Sequence, residues 1–242
     1  MSVFAISDLH LSLNDSTNKS MEIFGRRWQD YVHKLEKNWR AVVTDSDTVI
    51  LPGDISWALT PDEAKADFAF IEGLPGKKLI GKGNHDFWWQ TMRKLGAFIE
   101  QNNFSTISFL YNNAFAIEDL IITGTRGWFY DPTYDKLPPD TDFAKITARE
   151  VIRLEMGLAE AEKLKEQYPE KEIVVFLHFP VLWADKGSEE LLAVLLKHRI
   201  RRCYFGHIHG TYDMPTEMDA YGVHFSLISA DFLNFVPKIV QK

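Results

Sequence analysis

Val3-Phe4-Ala5-Ile6-Ser7-Asp8-Leu9-His10 opens with four apolar residues and ends on an acid and an imidazole. A short apolar run bounded by polar residues reads as a buried strand, here over residues 3–7. The same form recurs four times. Val49-Ile50-Leu51 leads into Gly53-Asp54, and Leu79-Ile80 into Gly83-Asn84-His85-Asp86. Val174-Val175-Phe176-Leu177 leads into His178, and Tyr204-Phe205 into Gly206-His207-Ile208-His209. In α/β sheets, functional sites form at the carboxyl ends of strands, where loops converge on a rigid frame. Polar clusters at five such ends point to an α/β protein with one composite site.

The rest of the chain alternates helical and strand patterns. Residues 21–40 predict one helix, with Ile23, Phe24, Trp28, Tyr31, Leu35 and Trp39 on its apolar stripe. Thr60-Pro61-Asp62-Glu63 predicts a helix start: N-cap, proline at the first position, and glutamate completing a capping box. Further helices are expected near residues 87–95, 142–167 and 188–197. Strands are expected at 48–51, 78–80, 120–123, 173–177, 203–205 and 223–227. Residues 130–140 carry three prolines and read as a loop. Neither a linker nor a repeat divides the chain, so residues 1–242 are expected to form one domain.

Composition narrows the function. The chain has 242 residues, 45% hydrophobic and 25% charged, as in an ordinary globular protein. Its formal charge of −7 argues against general nucleic-acid binding and against a basic membrane-surface role. The single cysteine, Cys203, excludes an intrachain disulfide framework and a cysteine-rich zinc module. No apolar run approaches the roughly 18 residues of a membrane span. The N-terminus reaches Ser7-Asp8 too soon for a secretory leader, so a cytoplasmic location is expected.

Five of the eight histidines fall in the polar blocks. Carboxylate, imidazole and amide oxygen suit a divalent first-row metal of intermediate hardness. Asp-x-His and His-x-His in extended backbone would place both members on one side. Seven candidate ligands are too many for one catalytic ion that keeps a position open, and suit two. Metal identity stays open among Mn, Fe, Zn, Co and Ni.

Together the five blocks, in this order over residues 8–209, resemble the calcineurin-like metallophosphoesterases. The resemblance implies a four-layer α/β/β/α sandwich with a dinuclear metal site at the carboxyl ends of its strands. It implies that Asp8, His10 and His209 hold one metal, that Asn84, His178 and His207 hold the other, and that Asp54 bridges them. It implies that His85 faces the substrate as a catalytic residue and is not a ligand. Two such ions would bring a bridging water toward neutral pKa and supply hydroxide for in-line attack on phosphorus.

The expected activity is metal-dependent hydrolysis of a small phosphomonoester or phosphodiester. Other readings are nucleotide-pyrophosphate hydrolysis, a nuclease, and, in another class, a non-catalytic metal-binding scaffold. Protein serine/threonine phosphatases of the superfamily usually place an aspartate three residues after the Gly-Asp aspartate, to orient the catalytic histidine. Here that position is Trp57, which counts against a phosphoprotein substrate and leaves Asp86 as a candidate orienter of His85. The lipid-A-pathway relatives typically have arginine at position 85, which counts against the pyrophosphate reading. Gly53, Gly83 and Gly206 are expected to serve positive-φ turns. Arg126 reads equally as a phosphate clamp, whose loss would raise KM, or as a structural arginine. Trp57, Trp88, Trp89, Trp128 and Trp183 read as a substrate-facing wall or as core. The basic run 198–202 is what a helix C-terminus favours. Oligomeric state is not legible.

Overall fold

The computed structural model describes residues 1–14, 17, 19–129, 140–184 and 186–242. Its first half runs β1 (Val3–Ala5), α1 (Tyr31–Val42), β2 (Thr48–Leu51), α2 (Pro61–Glu72), β3 (Lys77–Ile80), α3 (Met92–Gln101) and β4 (Ile107–Phe109). Then come β5 (Ala114–Ile117), β6 (Leu120–Thr125), α4 (Phe143–Gln167), β7 (Glu172–Leu177), β8 (Leu182–Trp183), β9 (Lys186–Gly187) and α5 (Glu189–Lys197). The chain ends with β10 (Arg202–Phe205), β11 (Glu217–Ala220), β12 (Val223–Leu227) and β13 (Lys238–Gln241).

Two large sheets result. The first has the order β13-β1-β2-β3-β4, and the second β11-β12-β10-β7-β6-β5. Strands β1 to β4 run parallel, as do β12, β10, β7 and β6. Parallel neighbours need crossover connections, which the helices supply. Strand alternation then sorts the side chains into layers. Val3, Ala5, Ile50 and Leu79 meet Ile122, Val174, Phe176 and Tyr204 between the sheets. Phe4, Val49, Leu51 and Ile80 face the other way, onto Leu35, Trp39, Phe68 and Leu95 of the first three helices. Val175, Leu177, Phe205 and Phe225 pack under Leu154, Leu158, Leu191 and Leu195 of α4 and α5. The architecture is therefore the α/β/β/α sandwich expected.

Several local expectations hold. Thr60 caps α2 by accepting from the Glu63 N–H, while the Glu63 carboxylate accepts from Leu59 N–H. Asp142 and Ser188 cap α4 and α5. The single helix over 21–40 is corrected. Two 3-10 turns, Met21–Phe24 and Arg26–Trp28, meet at Gly25, whose φ of 114° breaks the helical path, and α1 starts only at Tyr31. Ile23 and Phe24 consequently lie exposed. The helix near 87–95 is likewise displaced, because α3 begins at Met92 after Thr91. Most of the 130–140 expectation, residues 130–139, lies outside the described residues.

Candidate metal centre

All five polar blocks leave the carboxyl ends of parallel strands, β1, β2 and β3 in one sheet and β7 and β10 in the other. The sheets face each other, so their strand ends converge. Asp8, His10, Asp54 and His178 are essentially inaccessible. His209 Nε2 lies 3.3 Å from Asp8 Oδ1 and 3.4 Å from His10 Nε2. Asp54 Oδ2 lies 3.7 Å from His10 Nε2 and 3.5 Å from His178 Nε2, a position between the two. Asn84 Oδ1 lies 2.6 Å from His178 Nε2 and 3.1 Å from His207 Nδ1. All seven expected ligands thus come together.

Two groups offer ligand atoms close enough to hold an ion: Asp8 with His10 and His209, and Asp8 with Asp54 and His178. Asp8 belongs to both. The first group is the one the resemblance implies, and Asn84 and His207 flank the second.

The backbone reaches this arrangement differently from the extended segments expected. Asp8, His10, Asp54 and His207 have φ of 61°, 44°, 52° and 71°. Positive φ is costly for residues with a Cβ and persists where the surroundings over-determine it. The bends also separate the His-x-His pair, so His207 turns to Asn84 and His209 to Asp8 and His10. The glycines are corrected accordingly. Gly53 has positive φ, but Gly83 and Gly206 do not. They supply space: a Cβ at Gly83 would strike Asp54, and one at Gly206 would strike Asp8 and Ser7.

Asp86 does not orient His85. Its Oδ2 accepts from the Asp54 and Gly83 N–H groups, and its Oδ1 from Ile55 N–H and the Trp88 indole, with Ser56 N–H more distant. The carboxylate is consumed in clamping the two loops that carry Asp54 and Asn84. His85 donates its backbone N–H to Asp54 Oδ1, and its Nε2 lies 4.0 Å from Asp54 Oδ2. Its ring rests on Trp57 at 4.5 Å between centroids, and Trp57 also stacks on His10 at 4.8 Å and 24°. The tryptophan at the departure position therefore holds both imidazoles by ring contact.

The other tryptophans divide. Trp88 is core, and Trp89 packs on Phe109 and Tyr111. Trp128 lies against Phe179, and Trp183 against Phe205. Trp28, read from the sequence only as part of a helical apolar stripe, sits buried against His10 and His209. Arg126 pairs with the buried Glu150 at 3.1 Å, and its carbonyl accepts from His178 and Phe179 N–H.

Two further residues escaped sequence reading. Asp231, fully buried, lies 2.8 Å from His209 Nδ1 and accepts from Tyr212 OH and Gly210 N–H. Ser229 donates to Asp8 Oδ2. Both lie after β12 and match no motif. Their one signal is polarity in the apolar run around residues 223–235.

Electrostatics shows what this donor set lacks. Burial opposes ionisation of Asp8, yet His209, His178 and His10 hold its carboxyl well below the usual range. Burial, then the Asp86 and Asp8 charges, push Asp54 well above it. Burial also drives His10 and His178 well below their ordinary value, and His207 to about 4. Burial works against the charge on His209, but Asp8 and Asp231 raise it to about 10. Neutral imidazoles can donate lone pairs. Among the described residues, the ion-pair partners of Asp8 and Asp54 are all histidines. Among the described residues, the His209 imidazolium is the one positive charge held beside these two buried carboxylates, which leaves the pair short of compensating charge. Among the described residues the ring Nδ1 atoms of His10 and His178 are also buried without a hydrogen-bond partner. The residues present fit bound divalent cations.

The class the fold and site define is an α/β/β/α sandwich whose paired strand ends gather candidate metal ligands. The chain belongs to the calcineurin-like phosphoesterase family, whose model matches residues 1–211. No curated protein matches it. The crystal structure of TT1561 of Thermus thermophilus is similar over 95% of this chain and 89% of that one, at 11% identity and a TM-score of 0.54. That likeness shows the fold alone. The protein of unknown function AQ665 from Aquifex aeolicus aligns over 98% of this chain and 95% of its own, at 16% identity and a TM-score of 0.49. Among the described residues no helix is long and apolar enough to cross a membrane.

Proposed function

We propose that this protein hydrolyses small phosphoesters with two divalent ions. Asp8, His10 and His209 hold one, Asn84, His178 and His207 the other, and Asp54 lies between. The carrying observation is the placement of Asp54 Oδ2 within 3.7 Å of both His10 Nε2 and His178 Nε2. When bound, divalent ions supply a hydroxide nucleophile at neutral pH and neutralise charge on phosphate oxygens. The chain's own residues do the rest. Asp231 fixes the ring of His209, as partners of ligating histidines do. Trp57 holds His85 at the mouth of the site, where the imidazole hydrogen-bonds the leaving oxygen.

The hydroxyls of Ser7 and Ser229 are engaged, with the Gly53 carbonyl and with Asp8. Cys203 is fully buried. The phosphoryl group therefore passes to water without a covalent enzyme intermediate, and configuration at a chiral phosphorus inverts. Both halves of the chain contribute ligands, which favours one catalytic domain over residues 1–242.

The test is hydrolysis of p-nitrophenyl phosphate and bis-p-nitrophenyl phosphate by chelator-stripped protein resupplied with Mn²⁺, beside Asp54→Asn. Activity restored by metal and lost in the variant supports the reading, and the preferred ester separates monoesterase from diesterase. Two bound ions with no turnover of either ester would point first to a pyrophosphate or a highly specific substrate, and next to the non-catalytic scaffold.

A further inference from the structure

Asp67 lies inside α2 with no exposed surface. Among the described residues no lysine, arginine or histidine pairs with it. Burial holds its carboxyl above the usual range, against the pull of its hydrogen-bond donors. Those donors come from two loops. Oδ1 accepts from Leu13 N–H at 2.8 Å, on the loop that carries Asp8 and His10. Oδ2 accepts from Ser56 Oγ, on the loop that carries Asp54 and Trp57. Ser56 is buried too, and its Oγ accepts in turn from Ala58 N–H at 3.1 Å. Between them, the Trp57 N–H donates to the Leu11 carbonyl at 3.0 Å. The turn over residues 56–58 is thus tied at each residue.

A buried carboxyl without a cation costs free energy that an apolar side chain of similar size would avoid. What the carboxyl supplies instead is position, and the turn matters because of the ring it carries. The Trp57 indole Nε1 is buried with no hydrogen-bond partner among the described residues. Backbone and ring contacts therefore place the indole. His10 stacks on it at 4.8 Å, and Lys19 Nζ stands 4.9 Å from its centroid.

His85 depends on that indole. Among the described residues neither of its ring nitrogens makes a hydrogen bond, and its Nε2 comes only to 4.0 Å from Asp54 Oδ2. Trp57 is its nearest ring, at 4.5 Å between centroids, with His10 at 5.6 Å and Phe87 at 6.2 Å.

We infer that Asp67 is a positioning residue for His85: through Ser56 it sets the turn that carries Trp57, and the Trp57 ring sets the imidazole toward the leaving oxygen. This rests on the role given to His85 in the phosphoesterase reading above. The acid missing at position 57 is then supplied from the next helix, acting through a hydroxyl and a ring.

Nuclear magnetic resonance of the full chain, with labelled histidine and in Zn²⁺, a diamagnetic ion, reads the position directly. The His85 ring signals are assigned by their loss in His85→Gln. They carry a displacement from the Trp57 face. Asp67→Leu fills the same place without either hydrogen bond. In that variant the His85 signals move toward the position of free imidazole, while those of His198 and His224, held by Glu155 and Asp219, stay. Unmoved His85 signals overturn the inference. Circular dichroism identifies a misfolded variant. In that event Ser56→Ala, which cuts the same link, decides by the same signals.

The Mn²⁺-loaded enzyme supplies the second arm, in the ester class that it turns over. The p-nitrophenyl ester has a good leaving group, whereas the phenyl ester needs a hydrogen bond to its leaving oxygen. The variant therefore loses kcat/KM on the phenyl ester about tenfold more than on the p-nitrophenyl ester, a share of what a positioned proton donor contributes. An equal loss on both esters is what a merely structural acid would give, and it overturns the inference. No turnover of any ester by wild type overturns the phosphoesterase reading instead, and the ring signals still decide whether Asp67 places His85.

Discussion

Asp86→Asn tests whether the loop clamp beneath the site is structural. The carboxylate is buried and accepts four short hydrogen bonds, two on each oxygen, plus the longer one from Ser56. Asparagine keeps one acceptor oxygen and turns an NH₂ toward the remaining donors. With the Oδ1 side preserved, the Asp54 and Gly83 N–H groups lose their acceptor and face another donor. Each stranded buried donor costs about 1–3 kcal/mol, so the substitution is expected to destabilise the fold by about 2–6 kcal/mol, a large share of a domain's usual ~5–15 kcal/mol. The assay is urea unfolding of both proteins in excess chelator, so that metal affinity does not enter. A loss below about 1 kcal/mol, with unchanged denaturant dependence, would refute the accounting of those two N–H groups. Were Asp86 instead the orienter of His85, stability would hold and kcat alone would fall.

Three further outcomes are expected. Asp231→Asn removes the carboxylate beside His209 Nδ1 and should weaken metal binding by about 10–100-fold in a direct titration, as loss of such a partner typically does; unaltered affinity would remove Asp231 from the centre. Gly206→Ala drives a methyl group into Asp8 and Ser7, so thermal unfolding should show about 1–3 kcal/mol lost to overpacking, together with weaker metal binding; a neutral result would show that the loop yields. Lys78 is buried beneath the end of α2, and burial lowers its pKa from 10.5 to about 8. Between those values the unfolded chain holds the extra proton, so this lysine's contribution to stability rises as pH rises from about 8 to 10.5. Lys78→Met should abolish that rise in unfolding midpoints measured across the same window, and parallel pH profiles would contradict it.

Strand positions and candidate ligands were legible in the sequence because both are local. An apolar run of four residues followed by Asp-x-His is a strand and its end, whatever surrounds it. Five apolar runs that end in polar residues marked the candidate ligands, and the resemblance they carry implied the layered fold. Gly25 shows where local reading stopped: an apolar stripe continues through it, and only its backbone angle reveals two turns where one helix was expected. The positive φ values at Asp8, His10, Asp54 and His207 were equally hidden, because nothing in an Asp or a His marks strain.

Tertiary structure alone decided the partners. Asp231 reaches His209 across 22 positions, Asp86 clamps Asp54 across 32, and Glu150 meets Arg126 across 24. Trp57 replaces a carboxylate by ring contact with His10 and His85, a substitution of one kind of orienting force for another. Ligand chemistry belongs to the residue and can be read wherever it stands. The second layer depends on which loops meet when two sheets pack, and that distance is set by the fold.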